Sequence, residues 1–229
     1  MSQQDSELYR YIFAKDALKQ GIHTNTQQAF DLLRNECKRV FDCLKETKEQ
    51  DFATSPIKLD YIEKSETEFS IAFSSDVLLF SLHSNVFEFS RTHPLMQNNP
   101  YIREDRERSY CGVIHIYNFL ADSLRYGREN DLGYLIGRLF VNKENHYFIE
   151  GKQELGGFHT QFGRAVFNQE AAVLLLRNAM DYCAHFDLLT PPYDEIKDVT
   201  VGDLLDELAH KKMTTGKRLG FQFKADRTE

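Results

Sequence analysis

Tryptophan is absent from this 229-residue chain, and prolines number five and cysteines four. Each shortage excludes something. Few prolines and no low-complexity tract argue against a disordered or linker-like polypeptide. Cys37, Cys43, Cys111 and Cys183 lie far apart with no CxxC spacing, so they read as reduced core residues and not as a disulfide framework or a zinc ribbon. No apolar run approaches the roughly 18 residues that a membrane span requires, and MSQQDSELYR has no basic region leading into an apolar one. A cytoplasmic protein with no membrane association is expected. Basic residues are outnumbered by acidic ones, 28 to 35, for a formal charge of -7. Nucleic-acid binders carry a basic footprint, so that class is disfavoured. Lys211, Lys212, Lys217 and Arg218 form a local basic tail that reads as a solvated helix end.

Hydrophobic residues make up 41% of the chain and charged ones 28%, proportions from which a core can be built. Its 18 Phe and 11 Tyr supply much of that core's volume. At this length one domain over residues 1–229 is the simplest organisation.

Periodicity divides the chain into three parts. Residues 6–48 carry helical spacing: Leu8, Tyr9, Ile12 and Phe13 precede Gly21, and Phe30, Leu33, Cys37, Val40, Phe41 and Leu44 form a longer stripe. Thr24 and Gln27 have capping-box spacing, so two helices are predicted, the second starting near Asn25. Residues 57–151 alternate as strands, with segments near 57–63, 69–73, 77–83, 86–89, 111–120, 134–142 and 146–151. Ser84-Asn85 has the look of a tight hairpin turn, and Lys143-Glu144-Asn145 of a second turn. Residues 91–109 are polar and broken by Pro94 and Pro100, and read as a long solvated loop. Val113, Tyr117, Phe119, Phe140 and Phe148 fall on one side of the last three strands, with Ile114, Ile116, Leu139, Val141 and Ile149 on the other. A sheet apolar on both faces needs cover on both, which helices at the two chain ends are expected to provide. Those at the C-terminal end lie within 168–212: Asn168 caps one that Pro191-Pro192 ends, and Thr200 caps another with Val201, Leu204, Leu205 and Leu208 along one face. The fold class is α+β, an antiparallel sheet of six to seven strands flanked by N-terminal and C-terminal helices.

The chemical motifs are sparse. Glu150-Gly151-Lys152 is an ExK at a strand end, half of a metal-dependent nuclease signature in which carboxylates hold Mg²⁺ and the lysine supports the attacking water. A turn centred on Glu144 makes residues whose numbers sum to 288 face each other. Glu150 then faces Arg138, and Asp131 lies more than about 20 Å along the strand, too far to share a metal. A cross-strand Arg138/Glu150 pair is the simpler reading, with Asp122 or Asp60 the remaining carboxylates a nuclease would recruit. The same register sets Asn142 opposite His146, and the preceding connection is taken to place His115 beside Asn142. The outer two would stand about 9 to 10 Å apart, too wide for shared zinc ligation, so they read as hydrogen-bonded histidines. Glu207 and His210 have ExxH spacing without a second such pair, and Asp181 and His185 read as a surface pair. No metal centre and no cofactor is expected.

One loop stands out. Residues 151–164 are glycine-dense, follow a strand and lead to the helix near Asn168. Backbone amides freed at Gly156 and Gly157, the positive helix end and the side chains of His159, Thr160, Gln161 and Arg164 form a candidate anion cradle, against the plainer alternative of a chain reversal at Gly156-Gly157. The function expected is a non-catalytic intracellular binding or accessory protein that recognises a partner protein or a small anionic ligand. A metal-dependent phosphodiesterase or nuclease using Glu150 and Lys152 is the alternative, and a purely structural subunit a third.

Overall fold

The computed structural model describes residues 3–90, 92–97, 99–128, 131–152, 155, 162–186 and 192–202. A single helix, α1 (Gln3–Asp51), opens the chain. Strands β1 (Leu59–Ser65), β2 (Glu68–Phe73), β3 (Asp76–Leu82) and β4 (Phe87–Glu88) follow, then the short α2 (Pro100–Glu104) and a 3-10 turn over Arg106–Ser109. Next come β5 (Tyr110–Leu120), α3 (Ala121–Arg125), β6 (Tyr134–Asn142), β7 (Tyr147–Gly151), α4 (Gln169–Ala184) and the single-turn α5 (Tyr193–Ile196). All seven strands join one antiparallel sheet in the order β1-β2-β3-β5-β6-β7, with β4 also on β5. The α+β class is what the sequence periodicity implies.

The predicted break in the first helix is absent. Gly21 sits in the helix interior with nothing within 4 Å of the place a Cβ would occupy. Thr24 does not cap; its hydroxyl donates back to the Gln20 carbonyl at 3.0 Å, as Thr26 does to Ile22 at 2.7 Å. One glycine costs a helix only about 0.5–1 kcal/mol relative to alanine, too little to end one that packs elsewhere along its length.

Helices α1 and α4 lie together on one face of the sheet, which corrects the expectation that the two ends of the chain cover opposite faces. Phe30, Leu33 and Cys37 of α1 and Leu175, Leu176, Ala179 and Cys183 of α4 share a core with Phe69, Phe80, Ile114, Ile116, Leu139, Val141 and Ile149. Phe69 stacks on Phe80 at 4.7 Å and meets Phe30 at 5.1 Å. At Gly112 a Cβ would stand 2.1 Å from Thr26 Oγ1, so glycine lets α1 approach the sheet.

Cover for the opposite face comes from the segment predicted to be a solvated loop. Met96 and Ile102, with Phe162, bury Cys111, Val113, Phe140 and Phe148, and Phe89 packs edge-on to Phe140 at 4.8 Å. Short helical turns let its apolar residues face inward while Arg103, Glu104, Arg106 and Glu107 face water. Ser84-Asn85 is not a hairpin turn: β4 does not pair with β3, but resumes along the same edge of β5, Leu82 opposite Ile114 and Phe87 opposite Cys111. Cys37, Cys111 and Cys183 are buried, but Cys43 is exposed, outside the core expected for all four; none is disulfide-bonded. Burial pushes the Cys37 thiol up to about 12. No helix among the described residues is long and apolar enough to cross a membrane.

Candidate functional site

The β6–β7 turn anchors a polar network. Asn142, fully buried, accepts from the backbone N–H of Glu144 and of His146 at 3.0 Å each, which closes the turn around Asn145 at φ +60°. Its amide donates to Tyr101 Oη at 2.8 Å; Tyr101 in turn donates to Glu144 at 2.9 Å and lies 2.7 Å from His146 Nδ1. Arg108 donates to Glu144 at 2.8 Å and to the Tyr101 carbonyl at 2.8 Å, its guanidinium 4.3 Å from the Tyr101 ring centre. Lys143 reaches Asp105 and Glu107. Hydrogen bonding to Arg108 holds the Glu144 carboxyl below its ordinary range, and burial pushes the Tyr101 phenol up. A phenol with three partners has no capacity left for a substrate, so the network's chemistry is to fasten residues 99–109 to the hairpin.

Arg138 and Glu150 face each other and form the expected ion pair. Lys152 is exposed, its backbone N–H bonded to the Ile136 carbonyl at 3.0 Å. Asp131 accepts from Ser123 Oγ at 2.6 Å, and Asp122 pairs with Arg125. Among the described residues no three His, Cys, Asp or Glu side chains gather where a metal could bind. His115 is not beside Asn142: it pairs with Arg138, and Asn142 pairs with Cys111. Asp181 and His185 form the expected exposed pair, 3.5 Å apart. In the glycine-dense loop, Gly156, Gly157, His159, Thr160 and Gln161 lie outside the described residues, as do Glu207, His210 and the basic tail. Arg164 is exposed, and Asn168 caps α4 by accepting from Ala171 N–H at 2.9 Å.

What sequence reasoning missed is the part of the second sheet face that residues 89–109 leave open. Strand register arranges it in rows. The aromatic row Val113, Phe140, Phe148 is covered. Beside it runs a charged row, Glu68, Ser81, His115, Arg138 and Glu150. Next comes Ile62, Ser70, Leu79, Tyr117 and Leu135, one residue from each of five strands. No described element covers this last row; Ile62 is 50% and Leu135 45% exposed. Along β5, His115, Tyr117 and Phe119 make a ladder of rings 5.8 and 6.2 Å apart. His83 meets His115 edge-on at 5.9 Å. Burial, then His83 and Arg138, lowers the His115 pKa. The alternation of Tyr117 and Phe119 with Ile114 and Ile116 was the available signal; which face lay open depended on the cover. Comparison with family models, with curated proteins and with solved structures finds no match.

Proposed function

We propose that this chain is a non-catalytic binding or accessory protein that docks an amphipathic helix of a partner protein on the open part of the sheet. The row Ile62, Ser70, Leu79, Tyr117 and Leu135 carries the proposal. Five strands at about 4.8 Å spacing make a row about 19 Å long, the length of roughly 13 helical residues. The opposite face of the same sheet is already closed by helices laid on apolar rows. At the rim, Lys64 pairs with Glu68 and Arg138 with Glu150, so the charges flanking the row satisfy each other and favour a partner with a narrow apolar stripe and polar flanks.

A small anion held by Gly156, Gly157, His159, Thr160, Gln161 and Arg164 is the other form of a binding role, and all but Arg164 of that set lie outside the described residues. The phosphodiesterase alternative requires Glu150 to leave Arg138 and further carboxylates to join it. No observation favours either over helix docking.

The test is selection of a displayed library of short amphipathic helical peptides on the purified protein. Enriched peptides should bind in solution, and Leu79→Glu or Tyr117→Glu should weaken that binding about tenfold or more in variants that circular dichroism shows to be folded, a control needed because both side chains are partly buried. Failure to enrich any peptide, or equal binding to Leu79→Glu, overturns the proposal.

A further inference from the structure

Strand β1 ends the sheet at one edge, with β2 on one side and no described strand on the other. The hydrogen-bond phase of that edge follows from the strands inside it. Leu82 donates to the Thr67 carbonyl at 2.9 Å, so Phe69, Ile71 and Phe73 turn their backbone groups toward β3, and Ser70 and Ala72 turn theirs toward Ile62 and Asp60 of β1. Leu59, Tyr61 and Glu63 are therefore left with N–H and C=O groups directed outward. A row of unpaired backbone groups is a template for another strand. The side chains beside it are equally open. Ile62 is 50% exposed, and among the described residues Lys58, Asp60 and Glu66 have no hydrogen-bond or ion-pair partner for their side chains. Lys64 is held by Glu68 at 2.9 Å yet is 72% exposed, with ammonium donors to spare.

These features fit a second copy of the same edge. We propose that two copies of the chain pair antiparallel through β1 about a two-fold axis, in the register that sets Ile62 against Ile62. Tyr61 and Glu63 of each copy then exchange both backbone bonds with Glu63 and Tyr61 of the other, about four bonds in all. On the open face Asp60 meets Lys64, and beyond it Lys58 meets Glu66, each twice. Neighbouring registers fail. A one-residue slip sets outward backbone groups against inward ones. A two-residue slip sets Lys58 against Lys64 in one direction, and Asp60 against Glu66 and Glu63 against Glu63 in the other; parallel in-register pairing puts every charge against its like. The register shift between Glu63 and Ser65 ends the pairing, so the interface is shorter than a standard one and the dimer is reversible. Because Ile62 ends the open row of each copy, the two rows join into one that crosses five strands of each, about 43 Å long. The pairing uses β1 alone, and stands or fails apart from helix docking.

Sedimentation equilibrium of the full chain over the micromolar to submillimolar range, with amide hydrogen exchange followed by NMR at both ends of that range, tests this. A concentration-dependent monomer–dimer equilibrium is expected. The Tyr61 and Glu63 amides should exchange about tenfold more slowly at the high end, while those of Asp60 and Ile62, bonded to β2, are protected throughout. Lys58→Glu and Glu66→Lys should each weaken the dimer about fivefold by setting like charges together. Circular dichroism should be unchanged, because neither side chain has a partner among the described residues. Both changes in one chain should restore the dimer, as should mixing the two single variants, which pair as a heterodimer. Ile62→Lys should abolish it by placing two ammonium groups on the axis. A monomer at every concentration overturns the proposal, even where a strand of another protein takes the edge. A dimer that leaves the Tyr61 and Glu63 amides unprotected, or charge swaps that do not rescue each other, overturns it equally.

Discussion

Tyr101 shows how much one hydroxyl can hold together. It accepts from buried Asn142, donates to Glu144 and touches His146, so residues 99–109 and the β6–β7 turn meet at one oxygen. Tyr101→Phe keeps the ring and leaves the Asn142 amide with only the Arg108 carbonyl at 3.3 Å. A loss of about 1–3 kcal/mol is expected in urea denaturation, the usual cost of stranding buried polar groups, and an unchanged midpoint would refute it. His115 gives a pH signature. Its pKa is lowered from 6.5 in the folded chain, by burial first, so the unfolded chain takes up the proton earlier. The stability it contributes is therefore full above that value and falls as pH drops through it, levelling once the folded chain is protonated too. Melting temperature against pH should show this fall in the wild type, and His115→Gln should flatten it; parallel curves would contradict the assignment. The sequence located Glu150 but misplaced His115. A three-residue turn fixes the β6–β7 register, so Arg138 facing Glu150 followed from counting. Between β5 and β6 lie α3 and a longer connection, no local turn sets the register, and the guess fell four residues away at Asn142.

Among the elements, strands were legible because period-2 alternation survives in half-buried positions: every expected segment from residue 57 to 151 has its strand. Helix ends were not. Thr24 and Gln27 carry the letters of a capping box, but a cap requires the chain to leave the helix, and α1 stays helical through residues 3–51 because the sheet side holds it from Ile22 onward. If Gly21 is tolerated and not required, Gly21→Ala should stabilise the protein by about 0.5–1 kcal/mol, since a Cβ there meets nothing within 4 Å and alanine restricts the unfolded chain. Thermal denaturation reads the sign directly; a destabilised variant would mean that the first five turns need the glycine. The segment 91–109 was misread for a related reason. Its composition is polar, but Met96 and Ile102 join Phe89 and Phe162 in closing the aromatic row once Tyr101 and Arg108 fasten the backbone. Local composition reports solvent contact on average and says little about two residues aimed inward.

At the scale of the whole molecule, two cores share one set of strands. Ile114, Leu139, Val141 and Ile149 point into the helix-covered core, and Val113, Phe140 and Phe148 from the same strands point into the smaller one. Adjacent residues of β5, β6 and β7 therefore stabilise opposite layers, and neither layer can lose its strands without exposing the other. The network from Tyr101 to Lys143 strengthens this coupling, because the smaller core's cover is bonded to the hairpin that supplies the larger core's last strands. Unfolding should then be a single transition, with near-ultraviolet signals from the aromatic rows and far-ultraviolet signals from α1 and α4 falling together in urea. Phe80→Ala in the larger core and Phe148→Ala in the smaller one, both fully buried, should each cost about 3–5 kcal/mol and move that same transition. A biphasic curve in Phe148→Ala, with the far-ultraviolet phase left at the wild-type midpoint, would show instead that residues 89–109 open independently of the helix-covered side.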